Sequence, residues 1–304
     1  MADRNELSSV PTFRQSRLSR SRSDSVFDVV NYAFLTIIGL VTLYPFWEVL
    51  IVSLSPYDLY LARTFHLITE RVDLSSYRFI MGMPGLWSAY RVTLFVTAFG
   101  TALSVSLTTL TGYVLSKDYI RGRRVIMFLI VFTMLFSGGL IPLYIVVRQT
   151  GLMNTMWALM VPQAILTFNL IIMRNFFFSI PDSLEESARM DGAGDVTVLV
   201  RIVLPLSMPV ISTIALFYAV QLWNDFFNAV MYISDRRKWP LQLFLRAMLF
   251  DSEASLQSGS DDPSLLGQPI KMATVMVAMI PIMLVYPFFQ RYFVRGIMIG
   301  AVKG

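Results

Sequence analysis

No cysteine occurs among the 304 residues, and His66 is the only histidine. Disulfides, thiolate nucleophiles and metal centres built on His or Cys are therefore excluded. Charge is scarce as well: Asp, Glu, Lys and Arg make up 15% of the chain against 55% hydrophobic residues, and the mean hydropathy is +0.61. A soluble domain carries about 25% charged residues, so this composition belongs to a membrane solvent. There is no G-x-x-x-x-G-K-S/T phosphate loop, so the chain does not bind ATP by that route. Internal repeats are also missing, which argues against transporters assembled from two similar halves.

What the sequence does have is long apolar runs. A bilayer core of ~30 Å takes ~20 residues of helix, and about six runs approach or exceed that length. They extend from Val29 to Trp47, Val92 to Ser116, Val125 to Val147, Leu152 to Met173, Ile202 to Asn224 and Met272 to Gln290. The predicted fold class is all-α, a polytopic membrane protein with six transmembrane helices. The first run follows a Ser-rich tail with Arg4, Arg14, Arg17, Arg20 and Arg22. It is too long for a signal-peptide core and no small-residue cleavage site follows, so it reads as a retained helix behind a disordered basic tail, residues 1–25.

The net charge of +5 does not point to nucleic acid, because the basic residues sit between apolar runs rather than forming one stripe. They work instead as orientation signals. With the tail inside, Lys117, Arg121, Arg123 and Arg124 share its side, as do Arg174, Arg189, Arg201, Arg291, Arg295 and Lys303, which favours both termini in the cytoplasm. Arg236, Arg237 and Lys238 fall on the opposite side and strain this assignment. Two outer segments result, Ser53 to Leu86 and Ser234 to Ile270. The second holds an amphipathic stretch, Trp239 to Phe250, suited to a membrane interface or to an external partner.

One inner loop is too patterned for a linker. Residues 179–209 contain Ser183 and Glu186 in capping-box spacing, which predicts a short helix after Pro181. Gly192 and Gly194 allow left-handed backbone to end it, and Asp195 caps the next helix, which meets the membrane near Pro205 and Pro209. The unit is a knob, with Leu184 and Ala188 on one face and small side chains at Ser187, Ala188 and Ala193 that let another protein approach.

The order Glu186, Ala188, Gly192, Ile202, Leu204, Pro205 resembles the "EAA" loop of binding-protein-dependent ABC-importer permeases, with Ser187 in place of the central alanine. Asp191-Gly192-Ala193 is also similar to that family. The tail from Gln290 to Gly304 resembles the maltose-type carbohydrate permeases, and Phe136 to Pro142 and Asn169 to Phe176 resemble their polysaccharide and oligosaccharide branch. The resemblance implies a five-helix type I importer core, residues 87–290, with the first helix and outer loop (26–86) added before it and a cytoplasmic tail (291–304) after. It implies that Glu185, Glu186, Ala188, Asp191, Gly192 and Ala193 couple to an ATPase, with Glu186 as the ionic contact, and that Gly300, Val302 and Lys303 touch the same partner. It implies no cofactor on this chain, ATP and Mg being held by two ATPase subunits. A second homologous permease, an extracytoplasmic solute-binding protein and membrane lipids complete the set of partners, in the inner membrane of a bacterium. Members of this branch carry fragments of pectin, xylan or alginate, so acidic oligosaccharides fall within the expected range of substrates.

For the substrate path, the residues themselves offer Asn169, Trp223, Asn224 and Asp225. Along a continuous helix, at 1.5 Å per residue, Asn169 lies near mid-membrane, where an amide needs a sugar hydroxyl or a neighbouring helix. Trp223 is either a stacking face for a pyranose or an interface anchor, with Asn224 and Asp225 beside it for hydroxyls. A secondary transporter or channel subunit is the alternative, but it calls for ionisable residues at span centres, and the spans have none. An intramembrane hydrolase calls for a Ser/His, metal or paired-Asp constellation, which the lone His66 in an outer loop does not supply.

Overall fold

The computed structural model describes residues 22–62, 66–257 and 267–301, which are helical with no strand among them. The chain divides into two units, the first ending at Glu48 and the second beginning at Val49. The elements that matter for function are α1 (Arg22–Ser53), α2 (Tyr57–Ala62), α3 (Ser75–Met81), α4 (Leu86–Ser116), α5 (Arg123–Leu135), α6 (Leu140–Gln149), α7 (Trp157–Met160) and α8 (Thr167–Phe178). They continue with α9 (Asp182–Met190), α10 (Asp195–Val198), α11 (Leu204–Leu206), α12 (Met208–Trp223), α13 (Phe227–Tyr232), α14 (Leu241–Gln257) and α15 (Gln268–Ala301).

Among the described residues, α1 over Val26–Ser53 and α4 are long and apolar enough to cross a membrane. Helix α1 begins at Arg22, so the last residues of the basic tail are helical rather than disordered. Its first unit exposes Phe27, Tyr32, Leu35, Val41 and Phe46 around the helix, as a lipid-facing helix does.

Other apolar runs that looked continuous in sequence are broken. The chain bends by 117° between α5 and α6 and by 81° between the α10–α11 segment and α12, so each pair counts as one bent span at most, for up to four spans by length and composition among the described residues. The first break lies at Phe136–Gly139, where Gly139 has φ 85°; the corner thus precedes Pro142. In the second, a π-helical turn at Leu199–Val203 leads to a corner at Ser207 between Pro205 and Pro209, two residues without an N–H to continue the ladder. The run from Leu152 to Met173 is split into α7 and α8 near Pro162. The Tyr218 hydroxyl accepts the freed Leu166 N–H at 2.9 Å and pairs with the Thr108 hydroxyl at 2.7 Å.

Helix α4 is the axis of the second unit, with α8 and α12 against it. Its buried positions Gly100, Ser104, Thr108 and Gly112 recur every four residues and make one smooth stripe. A Cβ at Gly100 would lie 2.8 Å from Leu222 Cδ1, and one at Gly112 would lie 3.2 Å from Met173 Cγ, so the absent side chains set the helix spacing.

At the end of α4 that begins with Leu86, Ile80, Leu86, Trp223, Leu241, Leu245 and Ile270 form one buried cluster. His66 is buried and stacked on Tyr60 at 4.8 Å, with Nε2 3.2 Å from the Tyr60 carbonyl, which is a structural use of the single histidine. The basic cluster that strained the topology also has a local use. Asp235 caps the turn at Arg236–Lys238, Lys238 Nζ donates to the Asn154 carbonyl at 2.8 Å, and Arg236 stacks over Trp239. In the amphipathic stretch, Arg246 lies over the Phe226 ring at 4.5 Å rather than reaching away from the protein.

Candidate functional site

The patterned loop forms a helix, turn, helix knob. Helix α9 follows Pro181 as expected but starts two residues earlier than a Ser183 cap requires: Pro181 is the N-cap, in extended conformation, and no side chain caps the helix. Ser183 is therefore inside the first turn, and Glu186 is exposed instead of reaching back to a cap. Proline fixes the chain direction, and Asp182 and Glu185 place negative charge in the first turn, so a Ser cap is not needed.

The C-terminal end follows the sequence more closely. Ala193 N–H donates to the Ala188 carbonyl and Gly192 N–H to the Arg189 carbonyl, both at 3.0 Å, around Gly192 at φ 85°. This is a Schellman motif. Gly194 is not left-handed, at φ −77°, and Asp195 is the first residue of α10 rather than its cap. The Asp195 carboxylate pairs instead with Arg189 at 2.7 Å. Arg189 lies over the Tyr119 ring, and hydrogen bonding to Tyr119, then the charge of Asp195, raises its pKa.

The residues expected to couple divide by direction. Glu186, Asp191 and Gly192 are exposed. Ala188 and Ala193 face inward against a buried cluster that includes Phe177, Val198 and Val203. Leu184 is exposed, so Leu184 and Ala188 do not share one outward face. Glu185 departs most from the outward role expected of it: it is only 7% exposed, and both carboxylate oxygens take the Lys117 ammonium at the end of α4. Lys117 also lies over the Tyr113 ring at 4.6 Å. In sequence Lys117 counts only as an orientation charge; nothing local announces its partner 68 residues away.

The outward side of the knob is unusually apolar for a polar loop. Met190 is 89% exposed and Val196 is 74% exposed. Beside it a cavity of about 610 Å³ runs between Lys117–Tyr119 and Ile180–Glu186. Gly300 falls within α15, whereas Val302 and Lys303 lie outside the described residues.

The four substrate-path candidates are not equivalent. Asn169 is 2% exposed in the first turn of α8, close to the break in its run, and its Nδ2 has no hydrogen-bond partner. The depth deduced from a continuous helix therefore does not hold. Trp223 is 6% exposed inside the subunit and its indole N–H donates to the Ala278 carbonyl at 3.3 Å, so neither ring face is open for sugar stacking. Asn224 is exposed, its amide donating to the Val220 carbonyl. Asp225 accepts from Gln163 at 2.7 Å and from Asn228, while Gln221 donates to Gln163 at 2.6 Å. Gln163 and Gln221 escaped the sequence reading because a search for charge in apolar runs passes over uncharged amides.

These features converge with comparison to known proteins. Residues 18–299 match the family described as binding-protein-dependent transport system inner membrane component. The chain belongs to that family. Like it, the permease is 45% identical to the polygalacturonan/rhamnogalacturonan transport system permease protein YtcP of Bacillus subtilis, over 92% of this chain and 99% of the relative. It is 42% identical to the protein LplC of the same organism, over 94% and 98%. Among solved structures, it is similar to a chain of a bacterial ABC transporter involved in the import of the acidic polysaccharide alginate, with TM-score 0.81 and 35% identity over 90% of this chain and 98% of that one. The chain is thus a membrane-spanning permease subunit of an ABC importer, not the subunit that hydrolyses ATP.

Proposed function

We propose that this permease forms half of the translocation path of an importer for acidic oligosaccharides, with the 182–193 knob docking into an ATPase subunit. The observation that carries this reading is the division of the knob into an outward side, with Glu186, Met190 and Asp191, and an inward side locked to α4 by Lys117–Glu185. A partner that moves the knob then moves the core helix with it. Two ATPase subunits hold ATP and Mg, and a second homologous permease and an extracytoplasmic binding protein complete the machine. The substrate class follows from relatives named for galacturonan and alginate transport. Of the path candidates, exposed Asn224 and the adjacent Asp225, Gln163 and Gln221 amide network are the ones placed to meet sugar hydroxyls, and Asn169 and Trp223 serve the interior. In this reading six passes, five of them the core at 87–290, leave both termini in the cytoplasm.

The test is reconstitution of the whole complex with galacturonan and alginate oligosaccharides, measuring uptake and ATP hydrolysis. Glu186→Lys reverses an exposed contact charge and is expected to lower stimulated uptake at least about tenfold while the permease still inserts, as loss of ~1.4 kcal/mol of a charge-assisted contact would. Unchanged uptake removes the coupling assignment. Topology has its own check. Because the chain has no cysteine, Ser255→Cys reports alone, and an impermeant maleimide is expected to label it only from outside the cell. Labelling confined to the cytoplasmic side overturns the orientation.

A further inference from the structure

A second cavity, of about 430 Å³, lies between the start of α5 and the facing ends of α4 and α8. Its lining is sorted by chemistry. Arg123, Arg124 and Arg174 stand at one end, and Met127, Phe128 and Val131 continue from Arg124 along the same face of α5, at spacings of three, four and seven residues. No carboxylate lines it. Asp118, outside the lining, pairs with Arg123.

Two of the guanidinium groups are held in place. Arg174 Nε donates to the Leu115 carbonyl and Arg123 Nη1 to the Ser116 carbonyl, both at 3.3 Å, so the end of α4 fixes them side by side. The Phe178 ring lies under both, 5.5 Å and 6.0 Å from their central carbons. Arg124 makes no ion pair among the described residues and is exposed. Each guanidinium has five donors in a fixed fork, so these bonds leave N–H groups free for a phosphate oxygen. Helix α5 buries none of its residues, and Val125, Leu129 and Phe132 are exposed outside the lining.

We propose that this groove binds an anionic phospholipid, the phosphate on Arg123, Arg124 and Arg174 and an acyl chain along Met127, Phe128 and Val131. A cationic head leading into an apolar track of about 6 Å, one turn and slightly more of helix, complements an amphiphile. A protein partner would desolvate Arg124 and Arg174 without counter-charge unless it supplied carboxylates there. Zwitterionic lipids offer the same chain but add a cation next to the arginines, so the groove selects lipids of net negative charge.

The test uses the full-length permease in its assembled complex, reconstituted in phosphatidylcholine vesicles containing a photoreactive phosphatidylglycerol or a photoreactive phosphatidylcholine. Labelling of the 123–131 segment is expected to be at least about five-fold greater with the anionic probe, as one arginine contact at a membrane surface supplies. Arg124→Gln, which removes no internal bond, and Arg124→Gln with Arg174→Gln are expected to bring it towards the zwitterionic level stepwise. Equal labelling by the two probes in the unaltered protein, or labelling unmoved by either variant, overturns the proposal. Loss of labelling on adding inorganic phosphate at constant ionic strength also overturns it, assigning the arginines to a free anion. So does photo-crosslinking from position 128 to the second permease in place of lipid. Should the double variant fail to assemble, the single variant decides.

Discussion

Lys117→Met in the assembled transporter is expected to abolish oligosaccharide uptake while the ATPase subunits keep their unstimulated activity. The substitution retains a long side chain over Tyr113 but leaves the Glu185 carboxylate buried with no cation. Removing one member of a buried ion pair costs about 3–5 kcal/mol, because the remaining charge stays desolvated. The knob avoids that cost by swinging away from α4, which exposes Glu185 to water and detaches the ATPase contact from the membrane helices. Amide exchange over residues 182–193 is expected to rise correspondingly. Lys117→Glu with Glu185→Lys restores opposite charges in the same place and is expected to recover part of both properties, an outcome that mere loss of packing at Lys117 would not give. If Lys117→Met leaves uptake and exchange unchanged, the pair does not hold the knob.

Gly192→Pro is expected to have an effect of similar size for a different reason. At φ 85° an L-residue is strained, and proline is confined near −65°. Proline also removes the N–H that donates to the Arg189 carbonyl, one of the two bonds of the Schellman motif. The turn cannot form, so assembly with the ATPase is expected to fail. Gly192→Ala separates backbone from contact. A Cβ there meets nothing within 4 Å, so alanine adds only left-handed strain of roughly 1–2 kcal/mol and is expected to retain measurable uptake. Co-purification of the ATPase subunit with each variant distinguishes the two. Equal behaviour of Ala and Pro would mean that something other than the turn is read at this position.

The parts legible in the sequence were those specified locally. Long apolar runs marked helices such as α1 and α4, and the Gly192 turn was legible because a left-handed residue leaves a composition signal. The corners were harder. Phe136–Gly139 and Ser207 lie within uninterrupted hydrophobicity, so hydropathy reads through them, and the cue is only a Gly pair or a Pro pair whose effect depends on how neighbouring helices satisfy the freed backbone. The Thr108–Tyr218–Leu166 arrangement that satisfies one such break is tertiary. The same holds at the site. Glu185 and Glu186 are adjacent carboxylates with the same chemistry in sequence, and only the position of Lys117 turns one inward and leaves the other exposed. Trp223 illustrates the converse: a tryptophan near a span end fits anchor, sugar platform or core, and the Ala278 carbonyl assigns it to the core.

The smooth stripe on α4 has a consequence for biosynthesis. Thr108 and its partner Tyr218 are separated by 110 residues. At about 5–20 residues per second, the ribosome takes roughly 5–20 s to deliver that tyrosine. For this interval α4 is already made, but the helix that covers the Thr108 hydroxyl is not, and Gly100 lacks Leu222, the side chain against which it will close. The newborn α4 must therefore be sheltered by something other than its own fold until α12 has been synthesised.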